Sequence, residues 1–213
     1  MSSFLIFIVG LIAQGCFAAR ILVQLIKSEK QKRVVSPTLF WVLSIVGSLL
    51  FFLYGWLRDD FSIILGQCIS YYVYWWNLKA KNVWQKLPAV CSYLFLLVPV
   101  LIVSMMMSNF DLFINSLFKN EGIPMWLVIF GSIGQVTFTL RFVYQWYYSK
   151  KVGDSVLPKG FWLLSLIGSS IILIYALIRL DFILILGQSF GFVSYLRNLF
   201  IGKSEKKSEN SDC

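Results

Sequence analysis

Shifted by 121 residues, the sequence aligns with itself from 10–78 onto 131–199 without an insertion or deletion, and 27 of the 69 pairs are identical. Matches among Leu, Ile and Phe arise in any two apolar stretches. Here they include Gln14/Gln135, Phe17/Phe138, Arg20/Arg141, Gln24/Gln145, Ser28/Ser149, Pro37/Pro158, Trp41/Trp162 and Ser44/Ser165. They continue through Gly47/Gly168, Tyr54/Tyr175, Arg58/Arg179, Asp60/Asp181, Gly66/Gly187, Gln67/Gln188, Tyr74/Tyr195 and Asn77/Asn198. Composition alone does not align so many polar residues and glycines. The chain is a tandem duplication, and its fold is built from two like units.

Each unit carries three apolar segments, at 3–26, 38–57 and 61–78 in the first and 124–148, 159–178 and 182–200 in the second. A seventh, 88–107, lies between them and has no partner in the repeat. The chain is 58% hydrophobic and 14% charged, against about a quarter charged in soluble domains. Segments of about 20 apolar residues suit a hydrocarbon core about 30 Å thick. The expectation is an all-α membrane protein with seven transmembrane helices, two parallel three-helix repeats joined by a linker helix (3+1+3). The divisions are 1–82 for the first repeat, 83–123 for the linker helix and its loops, 124–202 for the second repeat and 203–213 for a polar cytoplasmic tail. Three crossings plus one return the chain to its starting side, so both repeats insert alike, one of the standard transporter plans. Basic runs at 27–33, 79–86, 149–159 and 202–213 go to the cytoplasm by the positive-inside bias, with the N-terminus outside.

That loop distribution also accounts for the net charge of +9; a nucleic-acid surface would gather its basic residues on one face. With no His in the chain, the commonest general base and metal ligand is missing. Cys16, Cys68, Cys91 and Cys213 have no metal-ligand spacing. The N-terminal apolar stretch lacks the positive n-region of a signal peptide, and its counterpart recurs inside the chain, so it reads as a retained helix. No catalytic residue, metal or cofactor is expected.

Polar side chains within apolar segments are costly and mark the places to look. Arg20 with Gln24, and Arg141 with Gln145, are spaced by four residues and share a helix face. They suit a phosphate or carboxylate, or else the arginines snorkel to the head groups. Gln14 and Gln135 lie on the same helices. Gln67 with Tyr74 and Asn77, and Gln188 with Tyr195 and Asn198, form a second repeated set. Facing each other across a central cavity they would line a ligand site; otherwise they are hydrogen-bonding glue between helices. Arg58/Asp60 and Arg179/Asp181, in the turns between second and third segments, read as ion pairs or caps, or as a gate. Trp41 and Trp162 read as interfacial-belt aromatics.

The second repeat carries Gln135, Arg141-Phe142, Gln145-Trp146, Pro158, Phe161-Trp162, Ser165, Gly168, Tyr175, Arg179, Asp181, Ile185 to Gln188, Tyr195 and Arg197-Asn198-Leu199. This pattern resembles the lipid-A-disaccharide synthase N-terminal-like domain, in two tandem copies, the first departing from it at Ile21, Leu25 and Trp76. The domain is in turn similar to PQ-loop and SWEET-type bundles, although segment 3–26 lacks the proline at which those hinge. The family's name comes from fusion to a glycosyltransferase; that domain is not expected within these residues, so synthase activity does not follow. The resemblance implies a multi-pass protein of the bacterial inner membrane, in lipid A-type glycolipid metabolism, that binds or translocates a sugar-bearing or phosphorylated lipid by alternating access. Its partners would be a membrane lipid or lipid-linked sugar, with a homo-oligomer compatible and nucleic acid excluded. The alternatives are an accessory subunit of a membrane glycosyltransferase and a SWEET-type small-molecule transporter.

Overall fold

A computed structural model describes residues 3–57, 61–86, 88–107, 124–180 and 182–209. Among these the α-helices are α1 (Ser3–Gln31), α2 (Thr38–Leu57), α3 (Phe61–Ala80), α4 (Ala89–Met107), α5 (Met125–Val152), α6 (Lys159–Arg179) and α7 (Phe182–Glu209), with one 3-10 turn at Trp84–Lys86 and no strand. Prolines set the start of the second helix in each repeat. The Pro37 carbonyl accepts from Phe40 N–H at 3.0 Å and the Pro158 carbonyl from Phe161 N–H at 2.9 Å. The first helix of each repeat stops at one aligned position, where Lys32 (φ 53°) and Gly153 (φ 80°) adopt the left-handed conformation.

Three helices outrun the apolar segments that announce them. α1 and α5 continue to Gln31 and Val152, and α7 runs to Glu209 through most of the stretch expected as a polar tail. Hydropathy marks the part of a helix that suits lipid; backbone hydrogen bonding continues through Lys, Glu and Ser until something stops it.

α2 packs on α1 and α3, and α6 on α5 and α7; α3 also packs on α5, and α1 on α7. Six helices therefore close a circuit in which the first helix of each repeat meets the third helix of the other. Each third helix thus stands directly beside the first helix of the other repeat. α4 lies outside the circuit against α3. It is fixed there by Tyr71 Oη donating to the Phe95 carbonyl at 2.8 Å and Trp75 Nε1 to the Ser92 carbonyl at 3.3 Å. Within a repeat the helices approach closely at glycine. A Cβ on Gly168 would stand 2.7 Å from the Phe138 backbone nitrogen.

The interior is polar and aromatic together: Gln24, Ser28, Ser44, Asn77, Gln145, Ser149, Ser165 and Asn198 are fully buried beside Trp41, Tyr71 and Tyr74. The exterior exposes Leu11, Ile12, Leu97, Val136, Ile167 and Ile174. Leu5–Gln31, Met125–Val152 and Lys159–Arg179 are long and apolar enough to cross a membrane, and Thr38–Tyr54 and Ser92–Ile102 are shorter apolar helices. Apolar outside and polar inside, the chain is a membrane-associated protein. Trp41 and Trp162 are 0% and 1% exposed, so they are core residues rather than a belt. Each sits edge-on to the preceding Phe and near the Tyr of its own third helix, with centroids 6.1 Å apart in both repeats.

Candidate functional site

The repeats are joined by two reciprocal amide pairs. Gln24 Nε2 donates to Asn198 Oδ1 at 2.7 Å, and Asn198 Nδ2 donates back to Gln24 Oε1 at 3.0 Å. Across the other interface, Gln145 Nε2 donates to Asn77 Oδ1 at 2.9 Å and Asn77 Nδ2 to Gln145 Oε1 at 3.0 Å. Both glutamines also donate one turn along, to Ser28 and Ser149 Oγ at 2.8 Å. Those hydroxyls in turn accept from the N–H of Val35 and Val156 at 3.1 Å. Each cross-repeat pair is thereby tied to the loop that leads into the second helix. The loops themselves touch, Ser36 Oγ lying 3.1 Å from Ser155 Oγ.

One turn away from the amides, two guanidiniums are buried, Arg20 at 5% and Arg141 at 3% exposure. They do not snorkel. Arg20 Nη1 donates to Ser44 Oγ at 2.8 Å and to Tyr74 Oη at 3.1 Å. Its central carbon stands 4.5 Å from the Phe17 ring and 5.4 Å from that of Phe142. Arg141 lies 3.2 Å from the Phe138 ring, 4.5 Å from Phe142 and 5.8 Å from Tyr195. A desolvated cation–π contact contributes about 2 kcal/mol, comparable with the roughly 2.5–3.5 kcal/mol of placing Arg at the centre of a membrane helix. Rings therefore make the charges tolerable, but they do not use the N–H donors. Arg20 Nε, and both Nε and Nη1 of Arg141, have no hydrogen-bond partner among the described residues. Neither arginine has a carboxylate partner there; the ion pair present joins Arg197 to Glu29 at the surface.

The two copies differ at this level. Phe142 stands between the arginines, and its aligned residue is Ile21. Ser44 donates to the Phe40 carbonyl and accepts from Arg20, whereas Ser165 donates to the Phe161 carbonyl in the same way while those two Arg141 nitrogens stay unpartnered. Arg20 Nη1 is held by Ser44 and Tyr74, with Nε left over; Arg141 leaves both Nε and Nη1 unpartnered among the described residues.

Further along the same helices, Gln14 and Gln135 reach the glycines of the opposite third helix. A Cβ on Gly66 would lie 3.1 Å from Gln135 Nε2, and one on Gly187 3.6 Å from Gln14 Oε1. Gln67 and Gln188, next to those glycines, are half-buried, and Gln67 Oε1 is a buried acceptor without a partner. Arg179 is exposed, its Nη1 donating to Tyr175 Oη at 3.1 Å. Arg58, Asp60 and Asp181 lie outside the described residues. Site residues to which the sequence reading gave no role in the site are Phe17, Phe138, Phe142, Ser28, Ser149, Ser44 and Ser155. A signal existed for most: Phe17/Phe138 precede the arginines by three residues, and Ser28/Ser149 follow the glutamines by four, identically in both copies. Ser155 aligns with Val34 and had none. Among the described residues no group of His, Cys, Asp and Glu is arranged to hold a metal.

The model of the family described as the lipid A biosynthesis N-terminal domain matches twice, at residues 9–79 and 130–200. Curated relatives include the lipid-A-disaccharide synthase of Chlamydia trachomatis serovar D, 30% identical over 96% of this chain and 35% of that protein. Those of Chlamydia felis and Chlamydia pneumoniae are each 27% identical, covering 91% and 96% of this chain and 32% and 35% of theirs. The chain thus spans about a third of the length of the curated relatives it matches. No solved structure matches it. With an internal repeat, a polar interior built of repeated residues and two matches to one family model, the chain belongs to the lipid A biosynthesis N-terminal domain family, as two copies in tandem.

Proposed function

We propose that this chain binds the phosphate of a phosphorylated, sugar-bearing lipid of lipid A-type metabolism between its two repeats, and moves it by alternating access. One observation carries the reading. Two buried guanidiniums flank a single Phe142 ring with unpartnered N–H donors and no carboxylate partner among the described residues. Two uncompensated positive charges in an apolar surrounding are a standing demand for an anion, and guanidinium geometry favours phosphate or carboxylate. Tyr74, Tyr195, Gln67 and Gln188 supply hydroxyl and amide groups for sugar hydroxyls. Gln14 and Gln135 lie on the same path. The Gln24–Asn198 and Gln145–Asn77 pairs would close the cytoplasmic end, and the Arg58/Asp60 and Arg179/Asp181 turns the outer one. In this reading the chain crosses the bacterial inner membrane seven times in a 3+1+3, SWEET-like plan, N-terminus outside and C-terminus cytoplasmic.

Proteoliposomes carrying a fluorescent phosphorylated disaccharide lipid test it. Wild type should flip the probe, and Arg141→Ala should weaken its binding by about 10- to 100-fold, the worth of a charge-assisted hydrogen bond at about 1.5–3 kcal/mol. Arg20→Ala should cost less, since its donors are already shared with Ser44 and Tyr74. Flipping unaltered in Arg20→Ala/Arg141→Ala would sink the phosphate role. A second reading is favoured by the relatives: a chain covering about a third of proteins named lipid-A-disaccharide synthase would serve as the membrane partner of a glycosyltransferase. Bound but unflipped probe in wild type supports that one.

A further inference from the structure

The duplication provides an internal comparison between the two interfaces where repeats meet. At the interface of α3 with α5, an open cleft of about 390 Å³ is lined by Tyr72, Trp75 and Trp76 from α3, Leu96 from α4, and Val143 and Trp146 from α5. One wall is held rigidly. Trp75 stacks on Trp84 with centroids 6.2 Å apart, and its indole N–H donates to the Ser92 carbonyl. Exposed lysines stand at the tryptophans, Lys79 Nζ 5.6 Å from the Trp75 ring and Lys150 Nζ 5.4 Å from that of Trp146. The interface of α1 with α7 places Leu196, Arg197 and Leu25 where the first has Trp75, Trp76 and Trp146, and Phe200 and Glu29 where it has Lys79 and Lys150. There Arg197 and Glu29 pair with each other, Arg197 Nη2 reaching Glu29 Oε2 at 3.0 Å. One interface carries an exposed ion pair; its twin is walled with indoles and has an exposed lysine beside each of two of them.

We propose that the cleft between α3, α4 and α5 binds one acyl chain of an anionic membrane phospholipid, its phosphate resting between Lys79 and Lys150. The rim charge selects an anion, as basic pockets at helix interfaces do, and the lining admits only hydrocarbon. The volume selects a chain over a helix. A helix about 10–12 Å across, rising about 5.4 Å per turn, exceeds this space within one turn. The site shares no residue with the arginine pair, so it stands or falls apart from the phosphate reading above.

The full chain in nanodiscs, irradiated with phosphatidylglycerol carrying a diazirine in its acyl tail and mapped by mass spectrometry, tests the assignment. Adducts should fall on Trp76, Leu96 and Trp146 several-fold more than on Leu25 and Leu196, and drop several-fold with the phosphatidylcholine probe. Lys79→Gln/Lys150→Gln should bring phosphatidylglycerol labelling down to the phosphatidylcholine level with the melting temperature unchanged. Equal labelling of the two interfaces, or equal labelling by the two lipids in wild type, would overturn it. So would a disulfide dimer through Trp76→Cys with no lipid adduct in the cleft, which would give the cleft to a second copy. Arg141→Ala should leave the adduct pattern as it is.

Discussion

Asn77 carries more than Asn198 does. Its Oδ1 accepts from Gln145 Nε2 at 2.9 Å and from Ser155 Oγ at 2.6 Å, whereas the residue aligned with Ser155 is Val34, which has no hydroxyl. Interhelical hydrogen bonds in membrane proteins average about 0.6 kcal/mol and reach about 1.7, and a buried amide left unpaired costs about 1–3 kcal/mol. Asn77→Leu should therefore destabilise the protein by about 1–2 kcal/mol in detergent unfolding, and Asn198→Leu by less. Gln145→Leu added to Asn77→Leu should cost less than the sum, because no partner is then left stranded. Equal losses for Asn77→Leu and Asn198→Leu would contradict the asymmetry. At this scale the sequence was half legible. Spacing and repetition pointed to Gln24, Gln145, Asn77 and Asn198, since polar residues identical in both copies are not accidental. It did not say which would pair with which, because a helix face identifies a direction and not the neighbour that fills it.

Among the helices, Lys32 and Gly153 offer a controlled comparison. Both end the first helix of their repeat with positive φ, at aligned positions, yet only Gly lacks the Cβ that makes this conformation strained. A left-handed residue with a side chain costs about 1–2 kcal/mol. Lys32→Gly should raise stability by about 1 kcal/mol and Gly153→Lys lower it by a similar amount, read as opposite shifts in melting temperature. Identical shifts would mean that the loops, not the caps, set those helix ends. The helices themselves were legible because apolar runs bounded by prolines and basic residues admit few alternatives. The burial of Trp41 and Trp162 was not. In a protein whose exterior is also apolar, hydropathy does not separate the face that meets lipid from the face that meets the core.

For the whole molecule, the closed circuit predicts how the chain comes apart. The glutamine of each first helix finds its amide partner on the third helix of the other repeat, so neither repeat alone completes the pairing of Gln24, Asn77, Gln145 or Asn198. Co-expressed as 1–86 and 124–213, the halves should copurify, and Asn77→Leu/Asn198→Leu should separate them. Halves that are stable separately would show the repeats to be independent. The duplication made two like units legible; their exchange of third helices was not, since a repeat announces its own contents and is silent about the seam. The seam has an energetic character too. Among the described residues its buried part is five hydrogen bonds between uncharged side chains, four within the amide pairs and one from Ser155 Oγ to Asn77 Oδ1, in a chain without histidine. Breaking those bonds neither takes up nor releases a proton, so under the proposed alternating access the buried amides themselves would give the proton-motive force no handle.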